Sequence, residues 1–88
     1  MSSRKYVFSI ALHYRASLIE KLIIYNGTQQ EFNIYAEGKK FKAMLARFRA
    51  RLTPNEFDLV RVQKQMVLKN GEVKFDATVI SDFHRESS

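Results

Sequence analysis

The chain has 88 residues, of which 45% are apolar and 27% charged, a size and mix that fit one small folded domain and exclude a disordered polyelectrolyte. It has no cysteine, which excludes a disulfide framework and a thiolate metal site. The formal charge of +6, from fifteen Lys and Arg against nine Asp and Glu, points to a polyanionic partner. No apolar run approaches the roughly 18 residues of a membrane span, and the short stretch 6–12 lacks the cleavage site of a signal peptide. The expectation is a cytoplasmic protein without a membrane partner.

Residues 1–4 and 85–88 are expected to fray around a single domain spanning 1–88. Tyr6, Phe8, Ile10 and Leu12 alternate with Val7, Ser9, Ala11 and His13, the period of a strand with its large residues toward a core. The next segment, 17–25, supports two readings. Ser17 and Glu20 match a capping box, and Leu18, Ile19, Leu22 and Ile23 share a helical face, with Asn26-Gly27 as a stop. Alternatively, β-branched residues make 18–25 a strand that turns at or just beyond Asn26-Gly27 into a second strand over 31–37, where Phe32, Ile34 and Ala36 alternate. The strand hairpin is slightly favoured.

Residues 38–52, GKKFKAMLARFRARL, form the main helix. At 100° per residue Phe41, Met44, Leu45, Phe48 and Leu52 fall in one sector, a core-facing stripe in which each large side chain contributes about 1.5–3 kcal/mol when buried. Thr53-Pro54 ends the helix, and Thr53 to Glu56 repeats a capping-box pattern that allows one further turn. The last third reads as a long hairpin, about 58–82, turning at Asn70-Gly71. A two-residue turn there sets Leu68 against Val73, Met66 against Phe75, Lys64 against Ala77 and Val62 against Val79 on an apolar face. Lys64 is the exception on that face and must run its stem outward. The fold class is therefore α+β: an antiparallel sheet of four to five strands with one basic amphipathic helix packed on one face.

The same helix holds the functional signal. It carries Lys39, Lys40, Lys42, Arg47, Arg49 and Arg51 and no acid, while the bases and acids elsewhere cancel, so the whole charge excess sits on this segment. Opposite the core stripe lie Ala43, Ala46 and Ala50, flanked by Lys42 and Arg49 on one side and by Lys40, Arg47 and Arg51 on the other. Short side chains between two cationic rims admit a phosphate ridge or groove close to the backbone. Lys, Arg and Ala are also good helix formers on a solvated face. Two features weigh against that plainer explanation: the helix has no stabilising Glu to Lys pair four apart, and it places three lysines in the first turn, where the macrodipole disfavours cations.

Tyr14, Tyr25 and Tyr35 are candidate stacking residues for bases. His13 and His84 have no metal-ligand spacing, no serine lies in a nucleophile motif, no glycine-rich phosphate loop exists, and the aspartates are scattered. No catalytic residue, metal or cofactor is expected. The functional expectation is a non-catalytic nucleic-acid-binding protein, its partner DNA or RNA, in a homodimer that enlarges the contact surface and covers a sheet edge. The competing expectation is a small interaction module, an adaptor or inhibitor, whose basic helix docks on an acidic protein surface.

Overall fold

A computed structural model describes residues 4–86. Strand β1 (Lys5–Tyr14) turns into β2 (Ser17–Thr28), two helices follow, α1 (Gln29–Glu37) and α2 (Lys39–Arg49), and the chain ends in β3 (Leu59–Val67) and β4 (Val73–His84). The strands form one antiparallel sheet in the order β2-β1-β3-β4. Both helices lie on one face, which makes a two-layer slab of 49 × 28 × 15 Å, and among the described residues nothing covers the other face of the sheet.

Strand β1 is central, as its alternation indicates: Phe8, Ile10 and Leu12 are fully buried under the helices. The opposite face of β1 is small. Ser9 and Ala11 are also buried, because longer side chains from the flanking strands close over them; Lys21 Nζ donates to Gln65 Oε1 at 2.6 Å across the strand.

Residues 17–25 are a strand, but their partner is β1 and not 31–37. The connection is a two-residue turn at Arg15-Ala16, with φ of 50° and 65°, the doubly left-handed geometry whose twist suits a hairpin. Neither residue is the Asn or Gly that normally marks such a turn. Its compensation is local: the Arg15 amide donates to Asp58 Oδ2 at 2.7 Å, and the Asp58 amide donates to the His13 carbonyl at 2.9 Å. Asn26-Gly27 therefore makes no turn; it lies inside β2 opposite Val7 and Tyr6.

The expected strand over 31–37 is helix α1. A complete capping box starts it: Glu31 N–H donates to Thr28 Oγ1 at 3.2 Å, and Thr28 N–H donates to Glu31 Oε1 at 2.8 Å. The Thr28 amide, and after it the nearby Thr28 hydroxyl, favours ionised Glu31 and holds its carboxyl below the usual range. A Cβ at Gly27 would stand 2.7 Å from that carboxylate and 3.0 Å from the Tyr25 ring, so any larger residue there must displace the capping side chain. Phe32, Tyr35 and Ala36, spaced three and four apart, then face the core, while Ile34 points to solvent. The Phe8 and Phe32 rings stack with centroids 4.1 Å apart, and Tyr25 stacks on Tyr35 at 4.8 Å, which fastens α1 to the sheet.

Gly38 closes α1 and opens α2, so the helical layer has two helices and not one. Helix α2 confirms the expected core stripe, with Phe41 buried and Met44, Leu45, Phe48 and Leu52 packed against the core. It ends at Arg49 and not at Leu52, because the bonds from Arg51 N–H to Phe48 and from Leu52 N–H to Arg49 tighten to three-residue spacing ahead of Pro54. The second capping-box pattern, at Thr53, gives the single turn that it allows, closed by Glu56 N–H donating to the Thr53 carbonyl at 3.2 Å, and goes no further.

The C-terminal hairpin exists, but its register corrects the expected one. Leu68 N–H donates to the Glu72 carbonyl at 2.7 Å and Gly71 N–H to the Leu68 carbonyl at 2.9 Å, which makes a three-residue loop with Gly71 at φ 86°. One extra loop residue shifts the pairing by one. Val67 faces Val73, and after a bulge Gln65 faces Ala77, Lys64 faces Thr78 and Gln63 faces Val79. Val73, Phe75 and Val79 thus leave the core side and are exposed. A second bulge near Ile80 restores the pattern, so that Phe83 opposes Val60 and packs against the core. Lys64 stays on the helix side, where it donates to Gln29 Oε1 at 2.7 Å and sits 4.5 Å over the Tyr6 ring.

Of the terminal segments expected to fray, residues 1–3 and 87–88 lie outside the described residues. Arg85 is tied in, its amide donating to the Asp58 carbonyl at 3.0 Å.

Candidate nucleic-acid interface

Five of the six candidate cations, Lys39, Lys40, Lys42, Arg47 and Arg49, lie on α2, and all are exposed along with Ala43, Ala46 and Ala50. The sixth, Arg51, falls just past the helix end. Packing of the Phe41 to Phe48 stripe on the sheet turns the alanine stripe outward, between the cationic rims. The rims lean over opposite edges of the sheet. Arg49 reaches toward β4, its guanidinium 4.4 Å from the centroid of Phe83. Arg47 and Arg51 lean the other way and line a groove of about 510 Å³ against β2, floored by Leu22, Ile24, Met44 and Phe48.

The charges are not equally available. Arg51 Nε donates to Glu56 Oε2 at 2.8 Å, its Nη1 stands 4.0 Å from Glu20, and its guanidinium lies 4.8 Å from the centroid of the Phe57 ring. Its charge is largely spent inside the protein. Among the described residues, the other five cations make no ion pair. Helix α2 also begins without a side-chain cap and without an acid in its first turn, so Lys39, Lys40 and Lys42 stand at its positive end with nothing there to offset them.

The tyrosines do not join this surface as free stacking platforms. Tyr25 and Tyr35 are half-buried and stacked on each other, and Tyr35 lies with Phe32 on the core side of α1, because that segment is helical. Tyr14 Oη donates to the Pro54 carbonyl at 3.3 Å.

Pairing gathers a second polar cluster that sequence spacing did not. His13 and His84 both oppose Leu59, on β1 and β4 respectively, and line a depression of about 490 Å³ with Asp58, Arg61 and Arg85. The signal was in the strand register alone. Arg61 clasps Asp82 with two hydrogen bonds, at 2.8 and 3.1 Å, which holds the Asp82 carboxyl below and the guanidinium above their ordinary ranges. Burial pushes the His13 imidazole down from 6.5, helped by the Arg61 charge and opposed by Asp58 and Asp82, and its Nε2 has no hydrogen-bond partner. Among the described residues no group of three or more His, Asp or Glu is placed to hold a metal ion, and no helix is long and apolar enough to cross a membrane.

No protein-family model matches this chain, and no curated protein or solved structure was found to be similar to it.

Proposed function

We propose that this protein is a non-catalytic nucleic-acid-binding domain that grips phosphates with the outer half of α2. The observation that carries the reading is the five cations of α2, exposed and without an acidic partner among the described residues, on the helix that holds most of the chain's charge excess. Lysines around an uncapped helix start are unfavourable in isolation, and a phosphate there offsets both the mutual repulsion and the macrodipole. The exposed alanines let a backbone ridge approach while the two rims reach around it.

Phosphate is common to DNA and RNA, so the test has three arms: titration of labelled duplex DNA, single-stranded DNA and RNA across a range of salt. Five neutralised phosphates give a slope of log K against log salt near −4.5 on a duplex and about −3.5 on a single strand. A flat salt response on all three would overturn the proposal. The second reading, docking of α2 on an acidic protein, draws on the apolar floor of the Arg47 and Arg51 groove, which a phosphate does not need. It is distinguished by co-purification of a defined protein with a protein-like ratio of absorbance at 260 and 280 nm.

A further inference from the structure

Strand β4 is an edge of the sheet. Among the described residues no strand pairs with its outer side, and every residue from Gly71 to Ile80 is exposed. Phe75 is 94% exposed. Within β4, Lys74, Phe75 and Asp76 have no cross-strand partner even on the inner side, because the register passes from Gln65 opposite Ala77 straight to Val67 opposite Val73. Only Gln65 Nε2 reaches across, donating to the carbonyls of Lys74 and Phe75 at 3.1 Å each. Edge strands are normally blunted by charge, shortness or proline. This one has twelve residues, no proline, and an apolar row of Val73, Phe75, Ala77 and Val79 on the bare face of the sheet.

We infer that β4 is an interface for a second copy of this chain, paired antiparallel about a two-fold axis that passes between the two Phe75 residues. The sequence of the strand is complementary to itself in that register. Phe75 faces Phe75 on the bare face, with Val73 facing Ala77 on either side of it. On the helix-bearing face Lys74 stands opposite Asp76 twice, once on each side of the axis; both residues line that face beside Lys64 and Thr78. Moving the axis by one residue sets Lys74 against Lys74 or Asp76 against Asp76, so charge selects the centre. The contact satisfies the edge backbone groups and covers the exposed ring. Because the axis runs perpendicular to the sheet, both α2 helices lie on the same side of an eight-stranded sheet and present their cations in one direction. The pairing does not depend on what α2 binds.

Sedimentation equilibrium on nuclease-treated protein, from micromolar to millimolar concentration, tests this. The expected result is a mass that climbs with concentration from 10.3 kDa toward twice that value. Lys74→Asp and Asp76→Lys each create two like-charge pairs and are expected to lower the association constant by about tenfold. Mixed one to one, these variants are expected to form a heterodimer, since one copy then carries two acids and the other two bases at the facing positions. Phe75→Asp is expected to abolish association while leaving the circular dichroism spectrum unchanged, its side chain being outside the fold. A mass fixed at the monomer value overturns the inference. So does a mixture that fails to associate, or association that survives Phe75→Asp and is lost on Ile23→Asp, which moves the contact to the β2 edge.

Discussion

Arg47 and Arg51 line the same groove beside α2, yet only one of them is paired. Replacing each by Gln removes one charge and keeps a polar side chain of related shape. Arg47 makes no ion pair among the described residues, so on the proposed function its loss is expected to remove one phosphate contact and to reduce the duplex salt slope by about 0.9. Arg51 already shares its charge with Glu56 at 2.8 Å and with Glu20 at 4.0 Å; removing it frees those acids and changes the slope by much less, about 0.3 or below. Stability orders the two variants the other way. Arg51→Gln gives up a half-exposed ion pair worth about 0.2–1 kcal/mol and a cation–π contact with Phe57 worth about 0.5–1 kcal/mol, so a loss near 1 kcal/mol is expected, against about 0.5 kcal/mol or less for Arg47→Gln. Fluorescence anisotropy over a salt series gives the slopes, and urea unfolding gives the stabilities. If Arg51→Gln reduced the slope as much as Arg47→Gln without loss of stability, the division between a binding and a structural arginine would be wrong.

Thr28→Ala removes one half of the capping box and is expected to cost about 1 kcal/mol in urea unfolding, with a loss of helical ellipticity from α1. Ala16→Gly, at φ 65°, relieves a left-handed conformation that an alanine pays for, and is expected to stabilise the fold by about 1 kcal/mol; a destabilising result would mean that the turn has another geometry. Acidification is expected to weaken the fold in two stages. His13 has a folded pKa lowered below 6.5, so its contribution is complete above 6.5 and is lost as the unfolded chain takes up a proton below it. Asp82 follows in the carboxylate range: its folded pKa is lowered, and its contribution declines below the unfolded value of about 3.9 as pH falls through the folded one. His13→Gln is expected to flatten the first stage alone, read from melting temperatures between pH 5 and about 8.

Much of the fold is legible in the chain where periodicity and burial agree. β1 alternates large with small residues and is the buried centre of the sheet, and the Phe41 to Leu52 stripe docks the main helix. The pattern misleads where two periods fit the same residues. Phe32, Ile34 and Ala36 alternate like a strand, but Phe32, Tyr35 and Ala36 also fit a helix, and the Thr28 to Glu31 cap decides for the helix. The helix also carries Tyr35 to the core side. The β1–β2 turn is hidden for another reason: Arg15-Ala16 has none of the residues that mark left-handed turns, and the bond to Asp58, 43 positions away, is invisible to any local reading.

At β4 the turn is legible in Asn70-Gly71 and the register is not. Asn70-Gly71 is compatible with loops of two or three residues, and that single residue decides which face of β4 is covered. The α+β class, the inward face of α2 and the concentration of positive charge on residues 38–52 are readable in the chain, because these depend on spacing and composition within one segment. Only the tertiary structure decided that Arg51 is engaged by Glu56 and Glu20, that His13 and His84 share a depression, and that Phe75 stands outside the core. Each of these depends on which strands become neighbours and in what register, a choice made by packing between segments and recorded in none of them alone.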